Sequence, residues 1–205
     1  MNFQTFRTTF KDYPIFSKKE IEKTLSPFDP KNLVNWQKKN YVQKVRNEWY
    51  RLTENHLDTP TLYFISNHIY NPSYISVESA LAHYGFIPEG VFRHTAITTL
   101  KTQNFDTPIG LFTYQTLKPN LFFGYNLLNF NGFNYKIADP QKCILDFLYL
   151  NPHLKTEGHF YELRLNISDI KAQVDFDLFH KYAVAFDAQA LMQRATAFVH
   201  FVENS

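Results

Sequence analysis

The chain has 205 residues, 44% hydrophobic and 18% aromatic, and only 6 are glycine, so it carries enough apolar surface to bury a core and is not a disordered or low-complexity chain. Its 20% charged residues leave a net charge of +2, too small to name a partner class by itself. One cysteine, Cys143, rules out an intramolecular disulfide, and no run of about 18 apolar residues is present to span a bilayer.

The N-terminal stretch MNFQTFRTTFKDYP lacks the apolar centre of a signal peptide, so a cytoplasmic protein without a membrane partner is expected. The charge is unevenly spread. Residues 1–52 hold 11 Lys/Arg and 5 Asp/Glu, for +6, whereas residues 53–205 hold 10 and 14, for −4. A basic quarter on a mildly acidic body points to a separate module with an anionic partner. A solvated Lys-rich surface would give the same count.

Phe3, Phe6, Arg7 and Phe10 recur at spacings of three and four, as in an amphipathic first helix. In SKKEIEKTL, Ser17 and Glu20 form a capping box, which predicts a second helix ending at Ser26-Pro27. Asp29 as N-cap and Pro30 as first helical residue open a third. Leu33 and Trp36, joined by Val34, supply its inward face, and Asn40 suits the left-handed residue that closes it. YVQKVRNEWYRL then reads as a hairpin turning at Asn47. Three helices followed by a hairpin form the order of a winged helix-turn-helix, predicted over residues 1–56. Its third helix would enter the major groove with Lys31, Asn32, Asn35, Lys38 and Lys39, while Lys44, Arg46 and Arg51 of the wing meet phosphates. A winged domain used only for protein contacts is the alternative.

Residues 57–205 read as a larger α+β domain with an antiparallel sheet and C-terminal helices. A helix is predicted from Thr59-Pro60, with Leu62, Ile65 and Ile69 on one stripe, and another from Ser76 to a stop at Gly85. Strand-like runs follow at 94–100, 111–117, 121–128 and 133–138. Asp139-Pro140 caps the helix QKCILDFLYL, and the tail from about Leu163 to Val202 is mostly helical, with Leu191, Ala195, Phe198 and Val202 spaced for either core or an interface.

The segments PSYISVESALAHYGFIPE, HTAITTLKTQNFDTPIGLFTYQTLKPNLFFGY and IADPQKCILDFLYL, in this order, resemble the antitoxin and transcriptional-regulator family of the AbiE abortive-infection systems, the type IV toxin–antitoxin systems. The resemblance covers about residues 72–150. It implies a bacterial repressor of its own operon that also neutralises a co-encoded nucleotidyltransferase-like toxin. Operator DNA, with inverted repeats if two copies bind, and the toxin are the implied partners. The wing turn carries Arg46-Asn47-Glu48, where related sequences often place a glycine. Within the first motif, Tyr74, Ile75, Leu81 and Phe86 are expected to pack a helix on the sheet, with Gly85 and Pro88 fixing its exit.

An enzyme is not expected, and neither a cofactor nor a metal is implied. Asp139, Asp146, Glu157 and His159 are the nearest approach to a carboxylate–imidazole set, but Asp139 is accounted for as a helix cap. His68, His83 and His94 lack the i, i+4 spacing of a helical zinc site. Cys143 lies in an apolar helical run and reads as a small buried hydrophobe. No nucleophile elbow, phosphate loop or dinucleotide fingerprint occurs. The oligomeric state, the operator sequence and the toxin's identity or presence are not written in the chain, and an orphan regulator without a toxin partner is a further alternative.

Overall fold

A computed structural model describes every residue except Glu89 and Val91; Glu89 closes the first of the three motifs, so that end of it lies outside the described residues. The fold is mixed α+β, with ten α-helices and two sheets among the described residues. None of these helices is long and apolar enough to cross a membrane.

The N-terminal elements run α1 (Phe3–Phe10), β1 (Phe16–Ser17), α2 (Lys18–Thr24), α3 (Lys31–Lys38), β2 (Val42–Arg46) and β3 (Trp49–Leu52). The capping box is present: Ser17 Oγ accepts from the Glu20 N–H, and the Glu20 carboxylate accepts from the Ser17 N–H at 2.6 Å. Asp29 accepts from the Lys31 N–H at 2.9 Å, so regular helix begins one residue later than the sequence suggests. Asn40 (φ 56°) closes α3 and Asn47 (φ 44°) makes the hairpin turn, both in the left-handed region that Asn tolerates. The two-residue β1 is new, and it completes a three-stranded antiparallel sheet in the order β1-β3-β2. Phe6, Phe10, Phe16, Ile21, Leu33 and Trp36 form much of this unit's core. Val34 departs from expectation: it is 53% exposed, on the outer face of α3.

The larger sheet is mixed, which corrects the expectation of an antiparallel one. Its elements are α4 (Thr59–Ile69), β4 (Ser73–Ile75), α5 (Val77–His83), β5 (Arg93–Thr98), β6 (Gln103–Thr107), β7 (Gly110–Thr116), β8 (Tyr125–Phe130) and β9 (Phe133–Ala138). The strand order is β6-β7-β5-β4-β9-β8, and the β5–β7 and β4–β9 pairs are parallel. Two short strands that the sequence does not signal cause this. β6 hairpins outward so that β7 returns beside β5, and the three-residue β4 inserts at the centre, too short to show a period of two.

Helices cover both faces. Tyr114 and Tyr135 point from the sheet to α4, where the Tyr114 hydroxyl donates to the Ser66 carbonyl at 2.7 Å and the Tyr135 ring meets Tyr63. Tyr74 points to the other face, against α6 (Pro140–Leu150). α7 (Glu157–Glu162), α8 (Ile167–Gln173), α9 (Phe176–Ala185) and α10 (Gln189–Asn204) complete the tail. Leu191, Ala195, Phe198 and Val202 are all buried, so this stripe of α10 is core. Tyr74, Ile75, Leu81 and Phe86 are buried too, and the first motif is a scaffold joining α5 to the sheet.

Candidate nucleic-acid interface

α3 is held by Leu33 and Trp36, 3% and 6% exposed, which turn the opposite face outward. Lys31, Asn35, Lys38 and Lys39 are exposed on that face, and Asn32 is half-buried. Spacings of three and four keep Lys31, Asn35 and Lys38 on one side of the helix. Lys44 is exposed on β2. On α2, Lys19 and Lys23 are exposed, and Lys18 sits 3.8 Å from Glu22. One helix therefore presents several cations and amides, with no acidic side chain on α3 itself.

Arg46 and Arg51, the other two cations expected on a wing, are differently engaged. The Arg46 guanidinium lies 3.4 Å from the centre of the Phe105 ring on β6 and donates to the Ile69 carbonyl at 2.7 Å. Burial holds it below the usual guanidinium range, while Tyr114 and Tyr70 act in the opposite sense. The cause is a register shift between Lys44 and Arg46, which leaves Val45 unpaired in the ladder. A bulge re-aims the side chains that follow it. Here Val45 enters the core of the larger sheet and Arg46 docks beside it. Arg51 is 4% exposed; it donates to Gln43 Oε1 at 2.9 Å and to the Asn55 carbonyl, and its Nε has no partner among the described residues. Desolvation lowers its pKa. The fold thus groups Lys31, Asn32, Asn35, Lys38 and Lys39 on one helix with Lys44 on the neighbouring strand, and turns Arg46 and Arg51 inward.

The N-terminal elements and the β2–β3 hairpin also pack on the body. Trp49 meets the His68 ring edge-on at 5.9 Å, and Tyr13 meets Phe133 at the same separation. Asn55 donates to the Tyr13 carbonyl at 3.1 Å. These contacts fix the direction in which α3 faces.

No family model and no curated protein matches this chain.

The carboxylate and imidazole candidates are dispersed. Asp139 accepts from the Lys142 N–H at 2.7 Å as the cap of α6, and from the Tyr182 hydroxyl at 3.0 Å. Asp146 is fully buried, accepting from Tyr74 at 2.9 Å and Ser76 at 2.8 Å and pairing with Lys142. Glu157 meets His200 at 2.9 Å, while His159 belongs to the capping box of Thr156. Among the described residues, no three His, Cys, Asp or Glu side chains gather to hold a cation. Cys143 is buried, and burial pushes its thiol well up, away from the reactive thiolate.

The sequence does not announce the closed polar cluster of Tyr74, Ser76, Lys142 and Asp146. Lys142 and Asp146 stand four apart, the one visible signal, but an i, i+4 pair reads as an exposed surface pair. The sequence predicts Ser76 as the cap of α5. Its hydroxyl goes to Asp146 instead, and the Thr95 hydroxyl accepts from the Ser79 N–H at 2.9 Å in the first turn.

Proposed function

We propose that the chain is a DNA-binding transcriptional regulator whose N-terminal elements act as a winged helix-turn-helix. The observation that carries this is the outward face of α3: exposed Lys31, Asn35, Lys38 and Lys39 on a helix anchored by Leu33 and Trp36. Lys neutralises phosphates and releases counterions, giving affinity that falls with salt. Asn32 and Asn35 have the amides that read adenine edges, and Lys38 has an ammonium able to meet guanine. Lys44 adds a phosphate contact from the wing.

The resemblance of the central motifs extends this proposal to an antitoxin. In that reading the protein represses its own operon, and its larger α+β portion neutralises a nucleotidyltransferase-like toxin in the cytoplasm. The test is a gel shift on the gene's own upstream DNA across a salt series, with scrambled competitor. Specific retardation that weakens steeply with salt is the expected result. Equal retention of scrambled DNA, or none, counts against it.

A second reading is a protein-interaction module, and one observation favours it. Arg46 and Arg51 are both engaged internally, so the wing offers Lys44 alone of its three proposed cations. Stoichiometric co-purification of a nucleotidyltransferase-like protein without DNA retention would support that reading.

A further inference from the structure

We propose that the free edge of β8 is a self-association surface, on which a second copy of this chain pairs its own β8 antiparallel and continues the sheet. β8 ends the six-strand order, with β9 on one side and, among the described residues, no strand on the other. Its register runs without a shift from Tyr125↔Ala138 to Phe130↔Phe133. The Gly124 carbonyl accepts from the Asp139 N–H at 2.9 Å, which sets the alternation along the ladder. Even-numbered residues bond to β9, and the backbone groups of Tyr125, Leu127 and Asn129 face the open edge.

Soluble proteins ordinarily guard such an edge with Lys, Pro, a bulge or a covering element. The strand YNLLNF has no charge, no proline and no bulge. The opposite edge is guarded: β6 carries Asp106, and the Arg46 guanidinium covers Phe105. At the middle of β8, Leu127 is 62% exposed.

Symmetry favours a second copy over a foreign strand. A twofold axis perpendicular to the sheet keeps matching faces together, so residues of equal parity oppose each other. Placed at Leu127, it sets Leu127 beside its counterpart and Tyr125 beside the counterpart of Asn129. The outward-facing groups then form roughly six backbone hydrogen bonds. An uncharged strand meets no like charge in its own copy. A foreign peptide would be selected through pockets for its alternate side chains. The outward row of β8 offers one exposed leucine between Tyr125 and Asn129, and the twofold sets that leucine against its own copy, where it is covered. This inference concerns the protein alone and does not depend on DNA binding.

Sedimentation velocity of the full chain, from about 1 to about 100 µM, is expected to show a concentration-dependent dimer. Leu127→Lys, at an exposed site, is expected to weaken association about tenfold or more while leaving the circular dichroism spectrum unchanged. Leu127→Cys is expected to give a disulfide-linked dimer under mild oxidation, because opposed residues of a hydrogen-bonded pair lie about 5.5 Å apart at Cα, within disulfide reach. Asn126→Cys, off the axis, is expected not to cross-link, and the native Cys143 is buried. A wild-type chain that stays monomeric throughout overturns the proposal, as does a dimer indifferent to Leu127→Lys or equal cross-linking from both cysteine variants. Capture of an unrelated extended peptide by a monomeric chain overturns it in favour of a foreign strand.

Discussion

The Lys142 ammonium and the Asp146 carboxylate, one turn apart on α6, meet where neither side chain has any solvent exposure. Burial pushes the carboxyl up and the ammonium down, and each charge offsets the other's desolvation. Tyr74 and Ser76 donate to the carboxylate, and the Phe123 and Phe186 rings flank the ammonium at 5.1 Å and 4.9 Å. The cluster ties β4, the start of α5 and α6 together. Asp146→Ala strands a buried cation and is expected to cost about 3–5 kcal/mol. The double variant Lys142→Met with Asp146→Leu is expected to cost less than Asp146→Ala alone, because no charge is left unpaired. Urea denaturation of the three proteins checks the order.

Gly124 stands where the chain must come close to that cluster. Its φ of 69° disfavours a side chain, and so do the atoms that a methyl group there would meet, the Tyr182 ring at 3.0 Å and the Lys142 side chain at 3.1 Å. Gly124→Ala is expected to destabilise by about 1–3 kcal/mol, whereas the same change at Gly132, which has open space despite its φ of 82°, is expected to cost less. Thermal unfolding separates the two.

Two cations of the β2–β3 hairpin are expected to behave oppositely. Under the proposed DNA-binding role, Lys44→Ala should reduce the salt dependence of DNA retention by about one unit of slope, and leave stability within about 0.5 kcal/mol. Arg46→Ala should leave the slope unchanged and cost about 1–2 kcal/mol of stability, through the lost Phe105 stacking and Ile69 hydrogen bond. A reversed pattern would mean that the wing leaves the body when DNA binds.

On α3, changing Lys38 and Lys39 together to Glu is expected to abolish specific retardation with an unchanged unfolding midpoint, since both side chains are exposed. Undiminished retardation would remove this helix from the DNA-binding face.

The histidines set an acid limit. Burial lowers the pKa of His68, against the opposing effects of the Phe64 carbonyl hydrogen bond and the Glu20 charge, and burial lowers that of His94. Both are therefore neutral in the folded state where the unfolded chain is already protonated. Between the depressed folded value and the ordinary 6.5, the unfolded chain binds more protons, so stability falls as pH drops through that window. The midpoint of thermal unfolding should be lower at pH 5.5 than at pH 7.5, about one unit either side of the ordinary value. His68→Gln, which keeps a donor for the Phe64 carbonyl, should show a smaller drop.

Local chemistry determined much of this protein. Ser17 with Glu20, Asp139 before Pro140, Asn40 and Gly85 mark helix ends because each satisfies or releases backbone groups within a few residues of itself. The three helices, the hairpin and the basic outer face of α3 were legible for the same reason. Tertiary structure alone decided the rest. β4 is too short to show a period, and β6, QNFDT, holds a single apolar residue, so the sheet's mixed sense was not readable. The bulge at Val45 sends Arg46 into the body, and burial takes Arg51 from the wing, because a cation's use depends on what the fold brings beside it. Lys142 and Asp146 look like a surface pair until Tyr74 and Ser76, some 70 residues earlier, close over them. Spacing within an element is written in the chain, whereas the dielectric around a charge is set by residues far away in sequence.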